Sequence, residues 1–552
     1  MHIIYQNNFN KLKPINSEPI VYLGYDFIKI EQLLQMGIET LDIRKLISTV
    51  AHGIKYDFID YIASIGKKQK DSLKWWASRI ASKSNLQTDF FSYVCLLKTF
   101  DKLNAENNCS IVLVDDFRLY QLLSINYTIT TPFSSRIKAL GAYYFSVIIY
   151  LVKAIPARLW FLFARLREDL SNKHIFNTKK DNYTYIYSWI EDRSIASDGS
   201  YNDPYFPGIH QYSKSKKFVL FCGYNVKTSL KVEISRQMAI DGLSSYSSPI
   251  KILRSVFYIF RPKEITKYDG FKLNPLWFFE TLSENTDNSY ISKIHEYLCW
   301  EDFFVDNSGT LIYPFENQPW EKVMLQGIAN SKSEMKSIGC LHTTTHRLLL
   351  PFHTTTLESS YLPLPEILFV NSSATERLYC EYFDPLNVEI VNAGSLRFPP
   401  SIDRTKREAS NKVTIGIMLS CIRSQTNQQL FDLEKNNNLK VEYLVKPHPD
   451  TPVKPDESFP NVSYFNGSAA EYYGQVDAIV YCSSTSGLEA FSYGLPVFRL
   501  RTQYLDLETG EDDFKPVVIN SVAEIDASEL IYNPHGQVFS EVQEDIWVRH
   551  LN

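Results

Sequence analysis

The sequence predicts an α/β protein whose sheets are mostly parallel, and three features of the 552-residue chain point to this class. Short runs rich in Val, Ile and Leu, typical of strands buried on both faces, recur along most of the chain. These runs alternate with stretches of helical periodicity, which favours βαβ units. Hydrophobic residues make up 44% and charged residues 22%, as in ordinary globular proteins, so wholesale disorder is excluded.

The strand-like runs fall into two series, which predicts two Rossmann-like domains. The last third has its own series, enough for one such domain over residues 356–535, with runs that begin at Val388, Val413, Val441, Ala478 and Pro496. Residues 1–355 then form a second α/β domain with a helical insertion over residues 135–170. The tail, residues 536–552, has helical spacing and is predicted to pack back across the two domains.

The insertion contains the most apolar stretch of the chain, AYYFSVIIYLVKAIPARLWFLFARLRED, which begins at Ala142. Lys153, Pro156 and Arg158 interrupt it, whereas a membrane-spanning helix needs about 20 apolar residues with few charges. Basic residues and Trp160 instead favour an amphipathic helix lying on a membrane surface. The alternative is a pair of buried core helices broken at Pro156.

Charge and cysteine content narrow the function classes. The net charge of −5 disfavours a general nucleic-acid binder. None of the eight cysteines forms a C-x-x-C pair, so neither a zinc knuckle nor a disulfide framework is indicated. Scattered cysteines and an N-terminus without a signal-peptide pattern predict a cytoplasmic protein, which the apolar insertion would hold at the inner membrane.

Two motifs in the last third predict a phosphate site. The predicted strand VEYLV ends in Lys446-Pro447-His448-Pro449, where the prolines hold the imidazole on a rigid turn. The predicted strand AIVY is followed by Ser483-Ser484-Thr485-Ser486 at the opening of a helix, with Glu489 one turn later. Ligands bind at the carboxyl ends of parallel strands, and a helix N-terminus attracts anions. The two motifs are expected to follow neighbouring strands, so Lys446, His448 and the hydroxyls would bind one phosphate, and Glu489 a ribose hydroxyl.

The sequence contains neither the dinucleotide pattern G-x-G-x-x-G nor the P-loop pattern G-x-x-x-x-G-K-[ST]. The nucleotide is therefore predicted to be a substrate carrier rather than a redox cofactor or a hydrolysed triphosphate. No additional cofactor is predicted.

At these residues the chain resembles GT-B glycosyltransferases, in particular bacterial surface-polysaccharide transferases with an HP and an SS motif. Sialyl-, polysialyl- and Kdo-transferases of this type use CMP-activated acidic sugars. The resemblance implies that His448-Pro449 and Ser483-Ser484 bind the cytidine nucleotide, and it covers about the last 170 residues. A looser likeness reaches surface-carbohydrate proteins implicated in nonulosonic acid transfer, on Trp75-Trp76 with Lys83, SWIEDRS, YPFENQPWE and GCLHTTTH.

The resemblance implies two α/β domains facing across a cleft, with an oligosaccharide or lipid-linked glycan of the O-antigen or capsule as acceptor. The chain departs from it in the acidic motif of related sialyltransferases. Val114-Asp115-Asp116-Phe117 lacks the glycine of that motif, so this resemblance does not identify the catalytic carboxylate.

Three residues compete for the chemistry, because sugar transfer needs a base or a nucleophile near the anomeric carbon. Glu316 ends a predicted strand at a cleft edge, and Asp192 follows another strand, where it is the inward candidate of its acidic pair. His342 and His346 are four residues apart, but the threonines between them disfavour a helical metal pair. We therefore expect His342 to hydrogen-bond a substrate, and the sequence requires no metal.

Arg397 follows a further strand in NAGSLRF, where it could hold a phosphate or a sugar carboxylate bidentately. The combined hypothesis is a metal-independent glycosyltransferase that uses a CMP-sugar. Two alternatives stay open: a transferase of polyol phosphate from CDP-glycerol, and a non-catalytic nucleotide-binding scaffold of a polysaccharide assembly complex.

Overall fold

The structure is a computed structural model, and it describes most of the chain. The described residues are 2–6, 20–106, 111–172, 183–196, 198–212, 218–224, 226–261, 267–383, 388–398, 412–436, 438–449, 451–453, 459–503, 505, 507, 514–528, 530 and 538–551.

The described residues contain strands of three to six residues and helices of four to forty residues. The strands are β1 His2–Tyr5, β2 Ile20–Tyr22, β3 Ile111–Val114, β4 Tyr183–Ser188, β5 Phe218–Cys222, β6 Ala239–Gly242, β7 Gly309–Pro314, β8 Lys336–Cys340, β9 Ile367–Val370, β10 Glu389–Asn392, β11 Thr414–Met418, β12 Glu442–Lys446, β13 Val462–Tyr464, β14 Ala478–Tyr481, β15 Val497–Leu500 and β16 Val517–Ile519. The helices are α1 Phe27–Gln35, α2 Arg44–Lys67, α3 Leu73–Trp76, α4 Arg79–Ser82, α5 Phe90–Ala105, α6 Phe117–Asn126, α7 Phe133–Asn172, α8 Thr228–Ser235, α9 Pro249–Val256, α10 Asn274–Thr286, α11 Asn288–Asp306, α12 Pro319–Ser331, α13 Thr356–Ser359, α14 Ser373–Tyr382, α15 Arg423–Asn436, α16 Ala469–Tyr473, α17 Ser486–Ser492 and α18 Glu544–Leu551.

Two large sheets are entirely parallel and share one topology. The first has the order β10-β9-β8-β7-β4-β5-β6 and the second has the order β13-β12-β11-β14-β15-β16. Numbered within each sheet, both contain the order 3-2-1-4-5-6 that defines the Rossmann fold. The predicted fold class, two Rossmann-like domains of the GT-B type, is confirmed.

The boundary between the two sheets differs from the predicted one. Strands β9 and β10 pair with β8, so the first sheet extends to Asn392 and the second begins at Thr414. The prediction that the second domain starts at residue 356 is wrong in this respect. The run from Val388 was assigned to the wrong sheet because buried parallel strands of either sheet have the same apolar pattern.

The N-terminal region forms a third, smaller sheet that the sequence did not predict. Its order is β1-β3-β2, and it is also parallel. Helices α2 and α5 pack together beside it, around a core that includes Phe58, Trp76 and Phe90. The side chain of Gln503 in the second large domain donates to the Gly24 carbonyl of this N-terminal unit at 3.1 Å.

The predicted helical insertion is a single 40-residue helix, α7, with Pro156 inside it. The alternative of two buried helices broken at Pro156 is therefore wrong. Within the described residues, Phe133–Ser171 is the one segment long and apolar enough to cross a membrane, and 6% of its most apolar window is buried.

The C-terminal tail packs against the first large sheet, and its helix is shorter than the predicted residues 536–552. Helix α18 covers Glu544–Leu551, and residues 538–543 are not helical. Its Trp547 side chain donates from Nε1 to the Ala393 carbonyl at 3.0 Å and packs in the core of the first sheet. This contact fastens the end of the chain beside β10.

Candidate active site

The strand order reverses once in each large sheet, which creates a crevice at the carboxyl ends of the strands. In the first sheet this switch point lies between β4 and β7, and in the second it lies between β11 and β14. Trp189 and Glu316 follow the first pair of strands, and Ser420 and Ser483 follow the second pair. Ligands of open α/β sheets bind at such crevices, so these residues define the candidate site.

The backbone that carries Glu316 is fixed by buried hydrogen bonds. Asn317 adopts a left-handed conformation with φ of 55° and donates from Nδ2 to the Pro351 carbonyl at 2.7 Å. The carboxylate of Glu321 in the first turn of α12 accepts from the backbone amides of Glu316 and Gln318 at 2.9 and 3.0 Å. Glu321 therefore caps the loop, and Glu316 keeps its own carboxyl group for the crevice.

Glu316 lies beside His342 at the carboxyl edge of the first sheet. The Glu316 Oε1 to His342 Nε2 distance is 3.5 Å. Burial raises the pKa of Glu316 to about 7, although its side chain is still 31% exposed to the crevice. Burial and the nearby charge of Arg397 lower the pKa of His342 to about 3. His342 is thus neutral at pH 7, and the contact is not an ion pair.

Aromatic side chains surround His342 on the same wall of the crevice. The rings of Tyr205 and Trp189 meet the imidazole edge to face, with centroids 5.0 and 5.7 Å away. Trp189 also contacts Trp320 of α12 at 5.7 Å. The Nδ1 atom of His342 is buried without a hydrogen-bond partner among the described residues. This wall can pack against the face of a sugar ring and still offer polar groups.

Arg397 lies on the same wall of the crevice. Its Nη1 atom donates to the His342 carbonyl at 3.3 Å, and its guanidinium lies 5.6 Å from the centre of the Tyr205 ring. The side chain remains exposed. A guanidinium anchored at one nitrogen and open to solvent has donors left for an anion.

On the facing sheet, Glu489 and Lys446 lie within electrostatic reach of each other. Burial raises the pKa of Glu489, and the charges of Arg397 and Lys446, with a 3.1 Å hydrogen bond from Tyr473, lower it in part. Lys446 donates from Nζ to the Gly467 carbonyl at 2.5 Å. Because Glu489 interacts with both Arg397 and Lys446, the predicted residues of the two sheets form one charged cluster.

A direct hydrogen bond joins the two sides of the crevice. Thr343 Oγ1, which follows β8, lies 2.8 Å from Thr485 Oγ1, which precedes α17. The Thr-rich stretch of the first domain therefore touches the hydroxyl cluster of the second.

The proline-braced turn lies at the same edge of the sheet. His448 and Thr451 form an isolated β-bridge, and the Thr451 hydroxyl donates to the Ser420 carbonyl at 2.7 Å. His448 is half-buried and Pro449 is exposed. The turn is thus fastened to the switch point through Ser420.

The expectation that His448 and the hydroxyl cluster follow neighbouring strands is wrong. Strands β12 and β14 lie on either side of β11. Their ends are therefore about 10 Å apart, at about 4.8 Å per strand. Gln425 of α15 links the ends of β11 and β14, since its Oε1 atom accepts hydrogen bonds from Ser420 and Ser483.

The four hydroxyls have different partners in the structure. Ser483 bonds Gln425 and Thr485 bonds Thr343, whereas the Ser484 hydroxyl accepts from the Ser486 amide at 3.0 Å and also contacts the Ser486 hydroxyl. Ser484 and Thr485 are half-buried, and Ser483 and Ser486 are buried. Ser484 and Thr485 are therefore the hydroxyls most accessible to a ligand.

Asp192 does not belong to this cluster. Its side chain is 73% exposed and binds Lys227 Nζ at 2.6 Å on the outer surface. The prediction that Asp192 points inward is wrong. The strand before it ends at Ser188, and a short 3₁₀ turn over Asp192–Ser194 directs the acidic group outward.

Trp76 and Lys83, which belong to the looser likeness, lie in buried contacts between the N-terminal unit and the first large domain. Lys83 forms a buried ion pair with Glu358, and buried Lys322 donates to the Ala81 carbonyl at 2.8 Å while lying 5.8 Å from the Trp76 ring centre. These contacts join the N-terminal unit to the first large sheet.

Asp115 and Asp116 lie apart from the crevice, in a recess of about 470 Å³ at the ends of β2 and β3. Asp115 pairs with Lys29, and Asp116 pairs with Arg118 at 2.9 Å.

Sequence reasoning missed Tyr205, Tyr473 and Gln425 as site residues. Trp189, Trp320 and Thr343 entered the sequence analysis only within motifs, and no role was predicted for any of them. No local pattern marks Gln425, because its role depends on its position between two strand ends. In the described part of the chain, no cluster of three or more His, Cys, Asp or Glu residues is arranged for a metal ion.

Comparisons with known proteins show no family for this chain. No protein-family model matches the chain, and no curated protein matches it. Among solved structures, the calicheamicin glycosyltransferase CalG4 is similar at 9% identity and a TM-score of 0.37, over 67% of this chain and 93% of that one. The glycosyltransferase SnogD from Streptomyces nogalater is similar at 11% identity and a TM-score of 0.33, over 68% and 94% of the two chains.

A UDP-GlcNAc 2-epimerase from Neisseria meningitidis, bound to UDP-GlcNAc, is similar at 12% identity and a TM-score of 0.30, over 58% of this chain and 82% of that one. At such values the likeness is distant. The two Rossmann-like sheets are evident from the chain's own strand order.

Proposed function

We propose that the protein is a glycosyltransferase that moves an acidic sugar from a CMP-activated donor to a glycan acceptor. The sugar is a nonulosonic acid, such as pseudaminic, legionaminic or sialic acid, or Kdo. The observation that carries the proposal is the crevice between two switch points. One side holds Glu316 beside a neutral His342, and the other holds Lys446 and the hydroxyl cluster.

In this reaction the acceptor hydroxyl attacks the anomeric carbon, the bond from that carbon to the phosphate oxygen breaks, and CMP leaves. The hydroxyl proton passes to the Glu316 carboxylate. A pKa near 7 suits this task, because the group is then often deprotonated yet basic enough to accept the proton. Neutral His342 can hydrogen-bond the acceptor hydroxyl or the carboxyl group of Glu316.

A CMP-linked acidic sugar carries two anionic groups, the phosphate and the sugar carboxylate, and the crevice offers matching cations. Arg397 presents an exposed guanidinium, and Lys446 ends β12 at the facing edge. We assign one anion to each, with His448 and the hydroxyls of Ser484 and Thr485 completing the phosphate contacts. Charge on the leaving phosphate is then stabilised without a metal ion.

Glu489 completes the donor site as an acceptor for ribose hydroxyls. Its carboxyl group is held by Tyr473, and it lies between the charges of Arg397 and Lys446. A group in this position balances the two cations when the site is empty and orients the ribose when it is filled. Pro449 keeps the turn rigid.

The acceptor in this proposal is a bacterial surface glycan of the O-antigen or capsule, as an oligosaccharide or as a lipid-linked chain. The enzyme then acts in the cytoplasm, where CMP-sugars are made, and it uses no nucleic acid. An attachment to the inner membrane surface would place it beside lipid-linked acceptors.

A donor screen tests the proposal directly. Purified protein is incubated with CMP-sialic acid, CMP-Kdo, UDP-GlcNAc or CDP-glycerol, and release of CMP, or of UDP from UDP-GlcNAc, is measured with and without a glycan acceptor. We expect turnover with a CMP-sugar, and His448→Ala should remove it while His210→Ala, an exposed histidine on another surface, should not.

The other outcomes separate the rivals. Release of CMP from CDP-glycerol alone would support polyol-phosphate transfer. CMP binding without turnover of any donor would support a nucleotide-binding scaffold. Turnover of a CMP-sugar that His448→Ala leaves unchanged would contradict the assigned role of His448.

A further inference from the structure

Helix α7 exposes more large apolar side chains than any other described helix. Those exposed by at least 49% are Phe133, Ile137, Leu140, Tyr144, Phe145, Ile148, Leu151, Val152, Ile155, Leu159, Trp160, Phe163 and Leu170. Soluble monomers rarely expose contiguous apolar patches larger than a few hundred Å². An apolar face of this extent indicates a partner that covers it.

The exposed side chains form one face along the helix. Phe145, Val152 and Phe163 are 65%, 65% and 72% exposed, and they are separated by 7 and 11 residues. At 3.6 residues per turn, both separations bring side chains back to within about 20° of the same direction. The buried residues Ala139, Phe161, Arg165 and Asp169 fall on the opposite side. Helix α7 is therefore amphipathic with respect to the protein body, as the sequence predicts.

Both ends of α7 are held on the same globular body. Near the start, Lys138 donates to the Gln6 side chain at 2.5 Å, and Tyr143 stacks on Phe278 of α10 at 6.2 Å. Near the end, Arg165 donates to Ser292 of α11 at 2.9 Å, and Asp169 accepts from Ser247 at 2.5 Å. A helix clamped at both ends to one body lies flat along it and does not cross a bilayer.

The charge of α7 indicates what covers its apolar face. Between Phe133 and Arg167 the chain has no Asp or Glu but has six basic residues, Arg136, Lys138, Lys153, Arg158, Arg165 and Arg167, although the whole chain carries −5. Lys153 and Arg167 are exposed beside the apolar row. An apolar face bordered by cations and lacking acids complements an anionic membrane surface.

Helix α9 adds a second apolar row beside α7. Ile250, Leu253 and Phe257, at and just after α9, are 78%, 52% and 74% exposed, and Arg158 of α7 donates to the Val256 carbonyl. The spacing of three and four residues places them on one helical face. The two rows together widen the apolar surface.

We propose that the exposed face of α7, with the apolar row of α9, docks the protein on an anionic lipid bilayer, with α7 parallel to the membrane plane. The apolar side chains enter the boundary between headgroups and acyl chains, and Lys153 and Arg167 face the headgroup phosphates. This surface stands independently of the proposed transfer reaction, and it would bring a lipid-linked acceptor to the enzyme.

Vesicle co-sedimentation of the full chain tests the proposal. We expect binding to phosphatidylcholine vesicles with about 30% phosphatidylglycerol, weaker binding to pure phosphatidylcholine, and a loss of the difference at high salt. Val152→Asp should weaken binding to the anionic vesicles by about tenfold or more, because it places a charge in the apolar face. Val305→Asp is the matched control, since Val305 at the end of α11 is 71% exposed outside this face.

Absence of vesicle binding by the wild-type chain would overturn the proposal, as would equal effects of Val152→Asp and Val305→Asp. A dimer in light scattering that Val152→Asp dissociates would show that a second copy covers the face, and would also overturn it. CMP binding by Val152→Asp should equal that of the wild type, so a failure of membrane docking is distinguishable from a failure of the proposed reaction.

Discussion

Glu316 and His342 meet at 3.5 Å although they follow different strands, β7 and β8, and are separated by 26 residues of chain. The pairing places a carboxyl group with a pKa of about 7 beside an imidazole that burial keeps neutral. Neither group is unusual by residue type. Their shared burial at the switch point changes the chemistry of both, and perturbed groups of this kind cluster at functional sites.

Replacing Glu316 with Gln should remove the base and lower kcat for sugar transfer by roughly 10²–10⁴-fold. The amide keeps the size and most hydrogen bonds of the side chain, so CMP binding and the unfolding temperature should stay near the wild-type values. Single-turnover kinetics and calorimetric titration with CMP measure the two effects. Wild-type kcat in Glu316→Gln would exclude Glu316 as the base.

The pH dependence of kcat/KM should report the same group. Because the pKa of Glu316 is raised to about 7, the fraction of the deprotonated base grows as the pH rises through 7. The rate should therefore rise from pH 5.5 to about 8 and then level off, as far as Glu316 alone controls it. A profile already flat from pH 5.5 would show that a group with an ordinary carboxylate pKa, or another step, controls the rate.

Changing Arg397 to Lys should weaken donor binding by about tenfold, because an ammonium group cannot form the bidentate contact of a guanidinium. The KM for the donor should rise more than kcat falls. Arg254→Lys is a suitable control, since Arg254 is also exposed but lies on α9. Equal donor KM values for the two variants would remove Arg397 from the donor site.

Asp192→Asn should leave transfer unchanged within about twofold, because Asp192 is exposed and paired with Lys227 away from Glu316. An exposed pair of this kind contributes little to stability, about 0–1 kcal/mol. Kinetics under the conditions used for Glu316→Gln provide the comparison. A large loss of kcat would place Asp192 back among the catalytic candidates.

Lys322→Met should flatten the pH dependence of stability between pH 7 and 10. Burial lowers the pKa of Lys322 from 10.5 to about 7, so in this range the unfolded chain binds a proton that the folded chain does not. Stability contributed by this group therefore increases as the pH rises, by up to about 1.4 kcal/mol per pH unit.

Urea unfolding at pH 7, 8 and 9 measures this slope, with Lys440→Met at an exposed position as the control. An unchanged slope in Lys322→Met would mean that the buried amine is not the source.

Strand positions could be predicted because continuous apolar runs identify strands buried on both faces. The pairing of those strands could not, since Val388–Val391 has the same pattern as the strands of the second sheet. Helix α7 shows a related limit. Pro156 predicts a break, yet contacts on both sides, such as those of Tyr143 and Arg165, accompany one continuous helix.

In the candidate site, too, some residues could be predicted from the sequence and others could not. The sequence predicted Glu316, His342, Arg397, Lys446 and Glu489 as candidates, and the structure brings these five side chains to one crevice. The sequence prediction that Asp192 points into the crevice was wrong, because adjacent acidic residues after a strand give no signal of which way the chain turns. Gln425, Tyr205 and Tyr473 were missed because their positions depend on packing between distant segments.

The sequence by itself determined the alternation of strands and helices, the polar turns that follow the strands, and the run from Phe133 to Arg167 in α7 that has basic but no acidic residues, because these follow from residue type and short-range spacing. Only the tertiary structure decided which strand ends adjoin, which carboxyl group lies beside His342, and which face of α7 meets solvent. Strand order and burial arise from contacts between residues far apart in the chain, and burial sets the pKa of Glu316 as well as the exposure of Val152.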